Sequence, residues 1–438
     1  MSGPRILLSE GSSTNAREAI TALGLAGYRM DVCDPNPACL ARFSRFVRRV
    51  HRCPPSGEDP VGYLRTVRRV LTEQHYDVLL PVNEQAYLFA WARDLLEPLT
   101  GLAVAPFASF TRVQTKAAFT LLLDELDLPH PPTLVAHDLA GVIRAADELG
   151  YPCWVKTSDG TASTGVRAVG DEAAARRLVD VPWIVEGVRQ PDGLLVQAQA
   201  TGWFEQAHAV FDGGELVAVR TDRRLVEGSN GGPALKLGVD RPAVTRDLER
   251  IGRALAWHGG FSVDYFWDDD AGRPSYVDPN PRLTEPMNSL LNGVNLADLQ
   301  VRMSLGEHPR RAAAGTRSAR SHALLHAVLG AAARGGGRRG VLTVAAAAVA
   351  RTGEYAGSRE ALTPLRVDPL SAIAAGYVVG RLSISPGQVH RMTASTITSY
   401  SLGHAITMLS GTTPEEAGLH DERHAGDTAG RGAQRPAG

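Results

Sequence analysis

Three side chains in the stretch Tyr276-Val277-Asp278-Pro279-Asn280-Pro281-Arg282 have the types needed to grip an anion through a metal: a carboxylate, an amide oxygen and a fixed cation. Residues two apart in an extended strand share a face, so Asp278, Asn280 and Arg282 line up on one side. Pro279 and Pro281 each lack a ladder donor, which puts the stretch at a sheet edge or at its end. Upstream, Gly260 to Trp267 reads as a strand rich in aromatic and branched residues, Asp268 to Pro274 as a polar turn, and Pro274 to Asp278 as the return. A hairpin centred on Ala271 sets Asp264 directly opposite Asp278. Facing carboxylates repel across a ladder. A hard divalent cation between them reverses that sign, and Mg²⁺ takes one or two carboxylates together with phosphate oxygens. The same residues also read as two solvated aspartates on a surface hairpin, so the elements around them have to decide.

Those elements supply cations and a loop. Tyr151 to Lys156 is a strand that ends on lysine, followed by Thr157-Ser158-Asp159-Gly160-Thr161-Ala162-Ser163-Thr164-Gly165, a loop of hydroxyls and two glycines whose amides could close over an anion. It is not a Walker loop, because Lys156 precedes the loop and does not follow its second glycine. Lys116 lies in an amphipathic helix expected over 110–126, which Leu128-Pro129-His130-Pro131-Pro132 closes as a linker. Taken singly, Lys116 reads as a solvated helix lysine and the loop as a mobile polar segment. Leu194 to Ala200 is a further strand, and Glu205 to Phe211 begins another that turns at Asp212-Gly213-Gly214-Glu215.

Residues 1 to about 107 alternate strand and helix, beginning with Arg5 to Ser9 and a helix to Leu25, which predicts a parallel sheet covered by helices. The first turn, Glu10 to Asn15, has no G-x-G-x-x-G, so a scaffold or a surface for a second substrate is expected there in place of a dinucleotide site. Ligands of such a sheet favour the carboxyl ends of its strands, here Gly11 to Asn15 and Asn83-Glu84. Beyond Pro309 the composition turns to alanine, arginine and glycine. Arg334 to Arg339 reads as a flexible loop, Arg359, Arg366, Arg381 and His390 as solvated surface, and the chain from Thr412 as a disordered tail.

Composition sets outer bounds. The 438 residues are 44% apolar and 21% charged with a formal net charge of −1, an ordinary globular balance that draws the chain neither to nucleic acid nor to an anionic membrane. The start lacks a signal peptide's apolar core, and the most apolar run, Val341 to Ala350, is half of what a membrane span requires. Cys33, Cys39, Cys53 and Cys153 show no zinc or redox spacing and read as reduced thiols of a cytoplasmic protein.

In their order along the chain, these pieces resemble an ATP-grasp enzyme over residues 1 to about 310, of the kind found in the carbamoyl-phosphate synthase large chain and in biotin carboxylase. The resemblance implies mixed α/β and α+β architecture: a pre-ATP-grasp (Rossmann-like) domain over 1–107, a two-lobed ATP-grasp domain over 108–310 with its lid lobe at about 133–198, a small C-terminal α+β domain over 311–411, and the tail. It implies that Lys116 and Lys156 hold nucleotide phosphates and that the loop through Ser158, Gly160, Ser163 and Gly165 is the lid. Gln197, Ala198 and Ala200 would form the adenine strand, with Glu205 on the ribose. Asp264, Asp278 and Asn280 would bind Mg²⁺ or Mn²⁺, while Arg282 and Lys236 would act on the transferred phosphoryl group. Two departures stand out: the family's paired metal glutamates are both aspartate here, and its adenine-strand glutamate is Gln197. The implied activity is an ATP-dependent carboxylate–amine ligase working through an acyl phosphate on an amino acid or other small acid. Carboxylation through carboxyphosphate and a nucleotide-binding module without turnover are the alternatives. The expected partners are small-molecule acid and amine substrates, with neither nucleic acid nor membrane, and a homodimer is the commonest assembly for such a chain.

Overall fold

The computed structural model describes residues 3–160, 165–229, 231–312, 318–409 and 411–419. Its fifteen strands are β1 (Arg5–Leu8), β2 (Arg29–Asp34), β3 (Val47–Arg52), β4 (Val78–Leu80), β5 (Thr133–Ala136), β6 (Cys153–Thr157), β7 (Val166–Val169), β8 (Leu194–Ala198), β9 (Trp203–Asp212), β10 (Glu215–Glu227), β11 (Pro233–Val239), β12 (Gly259–Asp268), β13 (Arg273–Asn280), β14 (Arg320–His322) and β15 (Arg359–Glu360). They form three sheets. The first is parallel with order β3-β2-β1-β4, the second antiparallel with order β5-β8-β6-β7, and the third runs β13-β12-β9-β10-β11-β14-β15. The third is antiparallel except where β15 joins β14. Helices alternate with the parallel strands as the 3.6-residue periodicity of the first hundred residues requires.

Local chemistry fixes the element ends. Ser13, Asp59, Thr115 and Asp138 each accept a hydrogen bond from the backbone N–H three residues on, capping helices Thr14–Leu25, Pro60–Gln74, Lys116–Glu125 and Leu139–Leu149. The expected helix over 110–126 is two helices, Phe107–Thr111 and Lys116–Glu125. Thr115 adopts an extended backbone between them and caps the second, which places Lys116 at its first turn.

The glycine run at 334–339 is also not a loop throughout. Only three residues separate helix Leu324–Ala333 from helix Gly337–Ala350. The strands β14 and β15 extend the large sheet, so the C-terminal residues share its ladder. Residues 411–419 fold against the N-terminal sheet's helices: Leu419 is buried, Trp91 Nε1 donates to the Thr412 carbonyl, and Arg65 donates to that of Gly418. Residues 412–419 of the expected disordered tail are therefore ordered, and the rest of that stretch, 420–438, lies outside the described residues.

The four cysteines are free and buried. Among the described residues no helix is long and apolar enough to cross a membrane.

Candidate functional site

The hairpin β12–β13 carries the site. Its turn end pairs Asp268 with Arg273 and Tyr265 with Tyr276, a register that alone would set Asp264 opposite Val277. A bulge between Asp264 and Tyr265 absorbs one residue of β13, and Asp264 faces Asp278 directly. The sequence expectation of opposed aspartates thus holds, through an irregularity that symmetric counting about Ala271 did not contain. Burial raises the Asp264 carboxyl above its usual range, and the charge of Asp278 pushes it further.

Cations stand around the pair. Lys116 Nζ lies 3.1 Å from Asp278 Oδ1 and donates to the Gly160 carbonyl at 2.7 Å. Lys156, at the end of β6, donates to Gln197 Oε1 at 2.6 Å. Burial pulls its ammonium down to about 8; Asp278 opposes that and Lys116 adds to it. Arg282 lies 3.9 Å from Glu84 Oε1, at the carboxyl end of the parallel sheet. Its Nε, like Gln206 Oε1, is buried and meets no partner among the described residues.

These groups line one cavity of about 970 Å³, together with Gly160, Gln197, Ala198, Ala200 and Asn280. Ser12 to Asn15, Asn36 and Asn83 also line it, so the strand ends of the parallel sheet face the cleft as expected. The turn after β1 is closed to a phosphate for a specific reason. Glu10 accepts from the N–H groups of Ser12 and Ser13 at 2.6 and 2.9 Å, and Asp34 accepts from that of Gly11 at 2.8 Å. The chain's own carboxylates occupy the amides that a pyrophosphate would use.

Several expected residues stand elsewhere. Glu205 is not in the cleft: it is fully buried on the opposite face of β9, held by Arg223 Nε at 2.7 Å, by Arg241 at 2.7 and 2.8 Å, and by the Tyr265 hydroxyl at 3.0 Å. A ribose contact from Glu205 is therefore withdrawn. Strand alternation puts the next residue, Gln206, on the cleft side, where Nε2 donates to Asp264 Oδ1 at 3.0 Å.

Lys236 is buried behind the cleft wall, ion-paired with Asp222 at 3.2 Å and with Glu285. Burial disfavours its charge, but Asp222, Glu285 and Glu18 outweigh that and hold the ammonium above its ordinary range. It reaches the cleft through Glu285, which does line it.

Ser158 is tied down on two sides: its carbonyl accepts from the Lys116 N–H at 2.8 Å, and its hydroxyl donates to Asp192 at 3.0 Å. Gly165 has φ +68°, and a Cβ there would sit 2.2 Å from Thr157 Oγ1, so only glycine closes the loop. Ser163 lies outside the described residues. Of Arg359, Arg366, Arg381 and His390, none lines the cleft.

The residues that sequence reasoning missed are Gln206, Glu285 and Arg224. Glu285 adopts a left-handed backbone (φ 43°), with its N–H donated to Asn15 Oδ1 at 2.5 Å. That strain at a cleft residue is invisible in sequence. Arg224 lies over the Phe204 ring at 4.1 Å and lines the cleft; its place depends on the β9–β10–β11 register, which joins residues far apart in the chain.

The donor set is oxygen only. Two opposed carboxylates, the Asn280 amide and the unpartnered Gln206 oxygen suit a hard divalent cation better than a soft one. Among the described residues no three His, Cys, Asp or Glu side chains are placed to hold a metal ion by themselves.

No protein-family model matches the chain. It is 27% identical over 218 residues to the arginine-specific carbamoyl phosphate synthase large chain of Geobacillus stearothermophilus, covering 48% of this chain and 20% of that one. The chain thus spans about a fifth of that relative's length. Two solved structures share its fold. One is the biotin carboxylase domain dimer of Hydrogenobacter thermophilus 2-oxoglutarate carboxylase with MgADP and bicarbonate (TM-score 0.55, 15% identity, 70% of this chain and 71% of that). The other is the L-amino acid ligase of Bacillus licheniformis (TM-score 0.54, 17% identity, 74% and 80%). The opposed carboxylates, the strand lysine before a small-residue loop and the three-sheet frame thus stand in a chain that shares the fold of these two enzymes.

Proposed function

We propose that the protein is an ATP-dependent carboxylate–amine ligase that releases ADP and phosphate. One observation carries the reading: Asp264 and Asp278 stand in direct cross-strand register inside a cleft that also receives Lys116, Lys156 and Arg282. Two acids held together and ringed by cations fit a polyphosphate that arrives with its metal.

In this reading Lys116 and Lys156 hold the nucleotide phosphates, and Gly160 to Gly165 covers them. The backbone of Gln197 to Ala200 reads the adenine edge. Gln197 also anchors Lys156, an indirect role that an amide oxygen fills without a carboxylate. Asp264, Asp278 and Asn280 would hold Mg²⁺ or Mn²⁺, which supplies charge neutralisation across the phosphate oxygens. A carboxylate oxygen of the acid substrate attacks the γ-phosphorus, the bond to the β-phosphate oxygen breaks, and ADP leaves. Arg282 stabilises the negative charge on the phosphoryl group in flight. An amine then attacks the acyl carbon, loses a proton and displaces phosphate. The lid excludes water from the acyl phosphate in between.

The test is ADP release by purified protein given MgATP with pairs of carboxylates and amines. Release that requires both an organic acid and an amine supports a ligase. Release with bicarbonate alone identifies a carboxylase, and nucleotide binding without release a module without turnover.

A further inference from the structure

The cleft has a second half, lined by none of the residues assigned above to the nucleotide and metal. It is walled by Phe43 of the turn Leu40–Phe43, Leu325 and Leu329 of helix Leu324–Ala333, Ile373 and Val378 of helix Ser371–Ile384, and Met392 of helix Val389–Tyr400. Leu329, Val378 and Met392 are partly buried and pack outward from the apolar core beneath them, so they form an apolar wall left half open. Among the described residues, nothing from segments 36–43 and 325–397 that lines the cleft carries a charge. This is not for want of supply: Arg42, Arg381 and Arg391 lie in the same segments, all exposed and all outside the cleft. His326, which also lines this half, is half-buried, and desolvation lowers its imidazole pKa, favouring the neutral ring.

The half is continuous with the aspartate pair and Arg282, within one cavity. Resting on the ligase reading, the acid must bring its carboxylate to that charged centre before any amine reacts, and its remaining atoms extend into the space beyond. A second charged group there would exchange water for apolar side chains and meet no counter-charge on the segments that form the wall. We infer that the acid substrate carries an apolar alkyl or aryl body, and that Phe43, Leu325, Leu329, Ile373, Val378 and Met392 select it.

Hydroxylamine serves as the amine in the test, since its nitrogen displaces phosphate from an acyl phosphate and leaves a hydroxamate. MgATP-dependent hydroxamate formation is measured for acetate through octanoate and phenylacetate, with adipate and glutamate as charged controls matched against hexanoate and leucine. The expected kcat/KM rises about fourfold for each added methylene until the space is filled. Hexanoate exceeds adipate by at least about a hundredfold. Val378→Asp flattens the chain-length series; Ile373→Asp, at a half-exposed position that tolerates a charge, does the same if the first variant folds poorly.

A flat series, or adipate and glutamate preferred, overturns the inference and leaves the ligase reading standing. Dependence on apolar length in a series of amines, but not of acids, also overturns it. Absence of hydroxamate and ADP with every acid sinks the ligase reading, and this inference with it.

Discussion

Glu205 and Asp264 sit on neighbouring strands, one register step apart, and the protein treats them in opposite ways. Glu205 faces the packed side of the large sheet, where two arginines and a tyrosine hydroxyl saturate its oxygens. Asp264 faces the cleft, where it has one amide donor and another carboxylate. A fully partnered acid holds a fold together. One set against a like charge stores unfavourable energy that a ligand can release. The same contrast separates Glu10 and Asp34, which fill the amides of the first turn, from the aspartate pair.

The comparison can be broken in order of effect. Arg282→Ala and Asp278→Ala, measured by steady-state ADP release, should each lower turnover by at least about 10³-fold while the melting temperature stays near that of the parent. Glu205→Ala should do the reverse. It takes the buried partner from Arg223 and Arg241, leaving them only the exposed Asp269, and costs about 3 kcal/mol of stability, read by denaturant unfolding.

A smaller effect lies in pH. Burial pulls the Lys156 ammonium down to about 8, below the ordinary lysine range, so above that pH the amine is neutral before nucleotide arrives. Phosphates favour the charged form, and binding must then take up a proton. ADP affinity, followed by calorimetry, should therefore fall as pH rises above about 8, approaching tenfold per pH unit. Lys156→Gln should bind more weakly and show no such slope. The smallest effect sharpens the contrast most. Asp264→Asn removes a repelled charge, so the nucleotide-free protein should melt higher at pH 8, by the equivalent of up to about 1 kcal/mol. If it melts lower, Asp264 is structural like Glu205.

The local parts of this arrangement were legible in the sequence. The period-2 row Asp278, Asn280, Arg282, the hairpin opposing Asp264, the strand lysine with its loop, and the βα alternation of the first hundred residues all follow from neighbouring residues. What sequence hid is long-range. Which side of β9 meets β12 is set by pairing between residues about sixty apart, and this decided Gln206 over Glu205. The break before Lys116 came from Thr115, a cap whose competition with an otherwise continuous amphipathic pattern is not visible in periodicity alone. Lys236 looked like a free cation because Asp222 and Glu285, which claim it, come from other elements. The apolar half of the cleft is assembled from four segments between residues 40 and 400, none informative alone.

The most direct measurement is the Mg²⁺ dependence of ADP binding in the parent and in an Asp264→Asn, Asp278→Asn double variant of intact fold. The account predicts that Mg²⁺ tightens ADP binding to the parent by at least about tenfold and has no effect on the variant. Equal Mg²⁺ enhancement in both would show that the facing acids do not hold the cation, and would contradict the account at its base.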